Sequence, residues 1–212
     1  MTITMYDSIE VSQIPADAAA VAGYTSGNWP TYGSLAAQFP HAHLLSIAVT
    51  ASAAADCLDI ETGDATVASA AGWYARQKSL GLHRPCFYAS ASTMNADLIP
   101  AIRAAGISRS SLRLWSAHYT GEAHICGPST CGATSTGMDG TQWTDSALGR
   151  NLDQSLLLSN FFDTEVSMQV TKLPPGDWRA GGPLILIGPS PDGSTWETKT
   201  YDGETWTTPV KQ

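Results

Sequence analysis

The sequence predicts an α/β fold: a compact (β/α) TIM-type barrel with some helices missing, plus a small C-terminal all-β appendage. Three observations carry this expectation. Eight short apolar or β-branched runs recur along about the first 160 residues, with helical patterns between several of them. Strands that alternate with helices argue for a parallel sheet with crossover connections. No Gly-rich dinucleotide fingerprint follows the first run, which weakens the competing open doubly wound sheet. Beyond about residue 165 the texture changes to Pro, Gly, Trp and Thr without helical periodicity.

The strand runs are TITMYD (2–7), VAGYTS (21–26), LLSIAVT (44–50), DCLDIE (56–61), PCFYAS (85–90), LRLWSAHY (112–119), GTQWTD (140–145) and NLDQSLL (151–157). Between the second and third lies a short helical candidate, Tyr32–Gln38, stopped by Pro40. A longer one, Asp64–Ser79, opens on an acidic N-cap candidate, is rich in Ala and ends at Gly81. Asn95–Ala105 reads the same way and ends at Gly106. The later connections are Gly-rich and irregular, so helices are expected to be missing there. The barrel is expected over residues 1–164 and a Pro/Gly-rich linker over 165–183, which ends in TKLPPGDWRAGGP (171–183). The appendage, 184–212, carries a near-repeat, DGSTWET (192–198) and DGETWTT (202–208). Asp-Gly is a hairpin-turn signal, and Trp and Thr favour strands. Trp196 and Trp206 then form either a miniature core or exposed platforms for a sugar or protein partner.

Composition excludes several function classes. Hydrophobic residues make up 43% and charged residues 14% of the 212 positions, which excludes a disordered chain or a coiled coil. The net charge of -8, without a basic run, argues against a nucleic-acid partner. Apolar stretches such as Leu44–Ala48 and Leu184–Ile187 fall far short of the ~20 residues that span a bilayer, so no membrane partner is expected. The N-terminus, MTITMYDSIE, has neither a basic nor an apolar signal region. The expectation is a mature form, or a protein released by lysis or carried in a phage particle.

Four cysteines are too few for a disulfide scaffold. Cys126 and Cys131 lie in HICGPSTCG, a short polar loop, and a local disulfide is the first reading. A zinc site with His118 and His124 is an alternative, although the spacing matches no standard pattern; free thiols are the third. Cys57 and Cys86 sit in apolar runs and read as buried small hydrophobes. No cofactor and no metal ion are expected.

In a (β/α) barrel the catalytic groups stand at the C-terminal ends of the strands. Asp7 ends the first run, Asp59 and Glu61 end the fourth, and Asp153 lies in the last. Residues two apart on a strand share a face, so Asp59 and Glu61 are expected to point together into the barrel mouth. Two close carboxylates raise the pKa of one of them. A protonated acid beside an anion suits glycosidic cleavage, where one protonates the leaving oxygen and the other supports an oxocarbenium-like transition state. Tyr24, Tyr88, Trp115, Tyr119, Gln142 and Trp143 fall at the other strand ends. They are the candidate substrate-binding groups, through ring stacking and hydrogen bonds.

In their order MYDSIE, LDIE, FYAS, LWSAHY, TQWT and NLDQS resemble family 25 of the glycoside hydrolases, the N-acetylmuramidase lysozymes, or a glycoside hydrolase-like relative of it. The resemblance covers about residues 1–160. It implies a (β/α)-type barrel whose final strands lack helices, with Glu61 as general acid and Asp59 as the partner that stabilises the transition state or orients the reacting group. Asp7 and Asp153 would be supporting acids of the cleft floor. The first strand departs from the family's Gly-Ile-Asp-Val-Ser pattern, and GYTSG and LLSIAVTAS replace its Thr-x-Gly and Tyr-His segments. No Gly-x-Ser-x-Gly or His-Glu-x-x-His motif offers a serine or zinc hydrolase instead. The expected function is a hydrolase of the β-1,4 glycosidic bonds of peptidoglycan, an endolysin or virion component, with bacterial cell-wall glycan as partner. The alternative is a non-catalytic barrel serving as a wall-binding or phage-tail module, with virion proteins as partners of the appendage.

Overall fold

The computed structural model describes residues 2–131 and 136–162, and the strands 184–189, 196–201 and 206–207. The chain divides into two compact units, Met1–Asp163 and Thr164–Gln212.

The first unit is a closed barrel of eight strands in sequence order: β1 Thr2–Asp7, β2 Ala20–Tyr24, β3 His43–Ala48, β4 Cys57–Asp59, β5 Cys86–Ser90, β6 Arg113–Ala117, β7 Gly140–Thr144 and β8 Asp153–Leu158. Each of the eight runs read from the sequence overlaps one strand. The direction of the last one differs from the all-parallel expectation. β1 to β7 run parallel, whereas β8 pairs antiparallel with both β7 and β1. The reason is the connection. Residues 145–152 are too short for a crossover, which needs about a dozen residues or more, and they close a hairpin instead.

Helices cover only part of the barrel. α1 (Tyr32–Gln38) lies between β2 and β3, and α2 (Val67–Ser79) between β4 and β5. α2 starts later than the sequence suggested, with Thr66 rather than Asp64 at its N-cap position. The Asp64 N–H is committed to the Glu61 carbonyl in the turn after β4. The third helical pattern begins earlier than expected and is not uniform: α3 (Ala91–Thr93), a π-helical turn (Met94–Leu98) and α4 (Ile99–Ala104). Ser90 starts it by accepting the Thr93 N–H at 3.1 Å. Pro100 explains the π turn, because a proline ring excludes the carbonyl four residues back from an ordinary α-helical position. Among the described residues no α-helix follows α4, and none is long and apolar enough to cross a membrane.

Strand alternation sorts the side chains into an inner and an outer layer. Inside the barrel pack Met5, Ala22, Leu45, Ile47, Tyr88 and Trp115, with Cys57 and Cys86 as fully buried free thiols. Outside it, Leu58, Phe87 and Leu114 meet Trp73 of α2 and Met94, Leu98 and Ile102 of the broken helix. Val21 meets Leu35 and Phe39 on the opposite flank. The pole where the parallel strands start is closed by arginines. Arg113 donates to the Arg84 carbonyl at 2.6 Å and lies over the Phe161 ring. Asp139 bonds Arg84 at 3.1 Å and Arg109 at 2.6 Å, and accepts the Leu114 N–H at 2.8 Å.

A disulfide joins Cys126 and Cys131 in the loop after β6, with the Cα atoms 5.2 Å apart. The second unit contains three antiparallel strands, β9 (Leu184–Pro189), β10 (Trp196–Tyr201) and β11 (Trp206–Thr207), in the order β11-β10-β9. The linker expected over 165–183, the turns at Asp192–Gly193 and Asp202–Gly203, and the surroundings of Trp196 and Trp206 lie outside the described residues.

Two outcomes follow for the fold. Thiol titration of the denatured, unreduced chain yields two thiols, Cys57 and Cys86; four would contradict the disulfide. A Cβ at Gly23 would lie 2.4 Å from Leu35 Cδ1 and 3.1 Å from the Tyr32 backbone nitrogen, since α1 packs directly on β2 there. Gly23→Ala is therefore expected to lower stability by about 1–3 kcal/mol in denaturant titration; an unchanged midpoint would show that α1 can move away freely.

Candidate active site

The reversed direction of β8 matters most at the other pole, where β1 to β7 end. β8 begins there, so Asp153 stands directly opposite Asp7 in the β1–β8 register. Asp59 closes β4, and Glu61 follows two residues on, where the chain leaves the sheet. Four carboxylates thus converge on the barrel mouth, close enough for their charges to act on one another.

Their environments differ. Asp7 is buried, and burial followed by the Asp153 charge pushes its carboxyl well above the usual range. It shares a hydrogen bond with Asp153, which also raises it. Asp153 is itself raised, mainly by burial, although hydrogen bonds from Asp7 and Gln142 oppose this. Asp59 is only 1% exposed. Burial first, and the Glu61 charge second, push its pKa to about 7, against the lowering effect of a 3.1 Å hydrogen bond from the Tyr24 hydroxyl. Its other oxygen, Oδ1, is buried without a partner. Glu61 is exposed at the rim; partial burial, then Asp64 and Asp153, raise it more mildly.

Beside the carboxylates runs a polar aromatic network. The Tyr88 hydroxyl donates to Gln142 Oε1 at 2.7 Å, and Gln142 Nε2 donates to the Tyr119 hydroxyl at 3.1 Å. Tyr119 is 54% exposed, so the network leads from the barrel interior to solvent. Trp115 does not face a ligand. It is buried under Tyr88, with ring centroids 4.4 Å apart, and its indole N–H is spent on Ser155 Oγ at 3.0 Å. Its place is the floor beneath the site. Trp143 is the extra residue of a β-bulge between Gln142 and Thr144, half-buried, with an unpartnered indole N–H. Bulges commonly re-aim a side chain in this way.

Two depressions adjoin at the top of β5. One, of about 320 Å³, is lined by Glu61, Thr62, Ser90 and Thr93. The other, of about 680 Å³, is lined by Ser90, Asn95, His118 and Tyr119 among others. Ser90 belongs to both, so a groove passes from Glu61 towards Tyr119. Asn95 was not legible as a site residue. The π turn carries it, its Oδ1 is buried and unpartnered, and the only signal in the sequence was Pro100 within a helical pattern. Among the described residues, the metal-ligating geometry lies in His118, His124, Cys126 and Cys131 at the end of this groove rather than among the carboxylates.

Chemically, the pole offers one exposed carboxyl able to exchange a proton with a ligand, a buried carboxyl beside it that titrates near neutrality, and a groove with hydrogen-bonding walls. No protein-family model, curated protein or solved structure matches the chain.

The buried carboxyls tie stability to pH. The folded Asp59 binds its proton up to about pH 7, whereas the unfolded side chain releases it near pH 4. Between these values the folded state holds more protons, so stability falls as pH rises through the window. The loss is on the order of a few kcal/mol above pH 7. Asp59→Asn is expected to melt higher than the wild type at pH 8 and no higher at pH 4. Equal melting differences at both pH values would contradict the raised pKa.

Proposed function

We propose that this protein is a peptidoglycan-directed glycosidase of the family 25 lysozyme type, and that its barrel is a compact (β/α) barrel reduced in helices and closed by a reversed last strand. The observation that carries the reading is the pairing of Glu61 at the open groove with Asp59 held near neutrality below it. In this reading Glu61 gives its proton to the glycosidic oxygen as the C1–O bond breaks. Charge then develops on C1 and the ring oxygen, and the surrounding carboxylates stabilise it. Water adds to C1, directly or after attack by the sugar's own acetamido oxygen, and its proton restores Glu61. Asp59 acts through Glu61 and Tyr24 rather than by contact with the leaving group, because it is fully buried. The groove walls, with Ser90, Asn95 and Tyr119, suit the hydroxyl and acetamido groups of an extended glycan. Bacterial wall glycan is the proposed partner, reached after lysis or from a phage particle.

The same burial favours a second reading. An Asp59 sealed from solvent and a Trp115 sunk in the floor also suit a barrel that grips wall glycan, or another virion protein, without turnover. Clearing of purified wall sacculi distinguishes the two. The enzyme clears them, and Glu61→Gln lowers the rate by about 10²–10⁴ with wall binding intact. Wild-type retention on sacculi without clearing establishes the binding module, and clearing that survives Glu61→Gln overturns the mechanism.

The pH profile is a further test of the enzyme. Asp59 retains its proton up to about pH 7 and in this reading is the acid that resupplies Glu61, so activity is expected to fall as pH rises past that value. Asp59→Asn should move this alkaline limb. A limb unchanged in the variant would assign it to another group.

A further inference from the structure

We propose that the loop after β6, once its disulfide is reduced, is a zinc site with His118, His124, Cys126 and Cys131 as its four ligands. The inference is independent of the glycosidase reading. Each residue contributes one ligand atom, and the four atoms lie within 4.8 Å of one another. His118 Nδ1 stands 3.0 Å from His124 Nε2 and 3.3 Å from Cys131 Sγ, and Cys126 Sγ stands 3.7 Å from His124 Nε2. Tetrahedral zinc with bonds of ~2.0–2.1 Å to nitrogen and ~2.3 Å to sulfur sets its ligand atoms roughly 3.3–3.8 Å apart. These three edges are already near that spacing. The nitrogen–nitrogen edge is a few tenths of an ångström short; the sulfur–sulfur edge is far shorter, being a covalent bond, and it opens on reduction.

The orientation of the imidazoles is a second, separate observation. His124 Nδ1 donates to the Glu122 carbonyl at 2.8 Å, which leaves the Nε2 lone pair facing the sulfurs. A carbonyl that fixes the far nitrogen of a histidine is the usual outer support of a zinc ligand. A disulfide needs no imidazole at all, yet two of them converge on this one. His118 Nδ1 now donates to His124 Nε2; in the zinc form its proton moves to Nε2 and Nδ1 becomes a ligand. Two thiolates and two imidazoles form a donor set suited to zinc. With four protein ligands the site is closed, so the ion is structural, bracing the loop that presents His118 and Tyr119 to the groove.

A dithiol reductant supplies two electrons and two protons to the Cys126–Cys131 bond and is itself oxidised to its cyclic disulfide. Zinc(II) then displaces one proton from each thiol to solvent.

The test uses the full chain, oxidised and reduced, titrated anaerobically with cobalt(II) and then zinc(II). The expected result is one cobalt per reduced chain, with the absorption of a tetrahedral site and a thiolate-to-cobalt charge-transfer band, bleached by one equivalent of zinc. The oxidised chain should give neither. His118→Asn with His124→Asn should keep the disulfide when oxidised, read as two titratable thiols. Reduced, it should bind cobalt more weakly by more than the ~10–100-fold that loss of an outer support costs. Reduced wild type without the charge-transfer band overturns the proposal whatever the variants do. A band that persists in Cys126→Ser with Cys131→Ser, and so belongs to Cys57 and Cys86, overturns it too, as does undiminished affinity in the histidine variant.

Discussion

Eight short strands leave two raw edges unless they close on themselves, and here closure rests on a single strand. β8 pairs with β1 over all six of its residues and with β7 on its other side. Its reversed direction follows from a connection too short to wrap around the barrel, and the reversal fixes the chemistry of the mouth. Had β8 run parallel, its first residue would lie at the arginine-lined pole. Running antiparallel, it sets Asp153 against Asp7. The acidic pair is therefore a product of the barrel's closure as much as of local sequence.

The two poles handle charge in opposite ways. At the strand starts, Asp139 is satisfied by two guanidiniums and a backbone N–H. At the strand ends, no cation is paired with the carboxylates in the described network; burial and mutual repulsion raise the proton affinity of Asp7 and Asp59 instead. Such an arrangement opposes folding at neutral pH. A buried carboxyl with an unpartnered oxygen is the kind of local cost that concentrates at functional sites.

The strands were legible because each is a short run of apolar and β-branched residues between turn signals. Strand direction was not, since period-two alternation reads the same both ways. The acids at the mouth could be placed because strand ends are marked by the residues that follow them. Which aromatics reach a ligand depends on depth along the barrel, so Trp115 and Tyr119, four residues apart and of the same parity, read alike although one is sealed within β6 and the other lies beyond its end and is open. The Tyr88–Gln142–Tyr119 network joins strands brought together only by closure, and no local pattern announces it. The disulfide was legible because the two cysteines are only five positions apart. The convergence of two histidines on it was not, because their spacing follows no standard zinc pattern.

The β1–β8 register has one more consequence. Thr2 and Leu158 are facing partners, so the barrel's first and last strands start and finish side by side at the pole away from the carboxylates. Chain order is then nearly arbitrary for this unit. A short peptide could link those ends and new termini could be opened in an exposed turn elsewhere, giving a circular permutant that keeps every strand pairing.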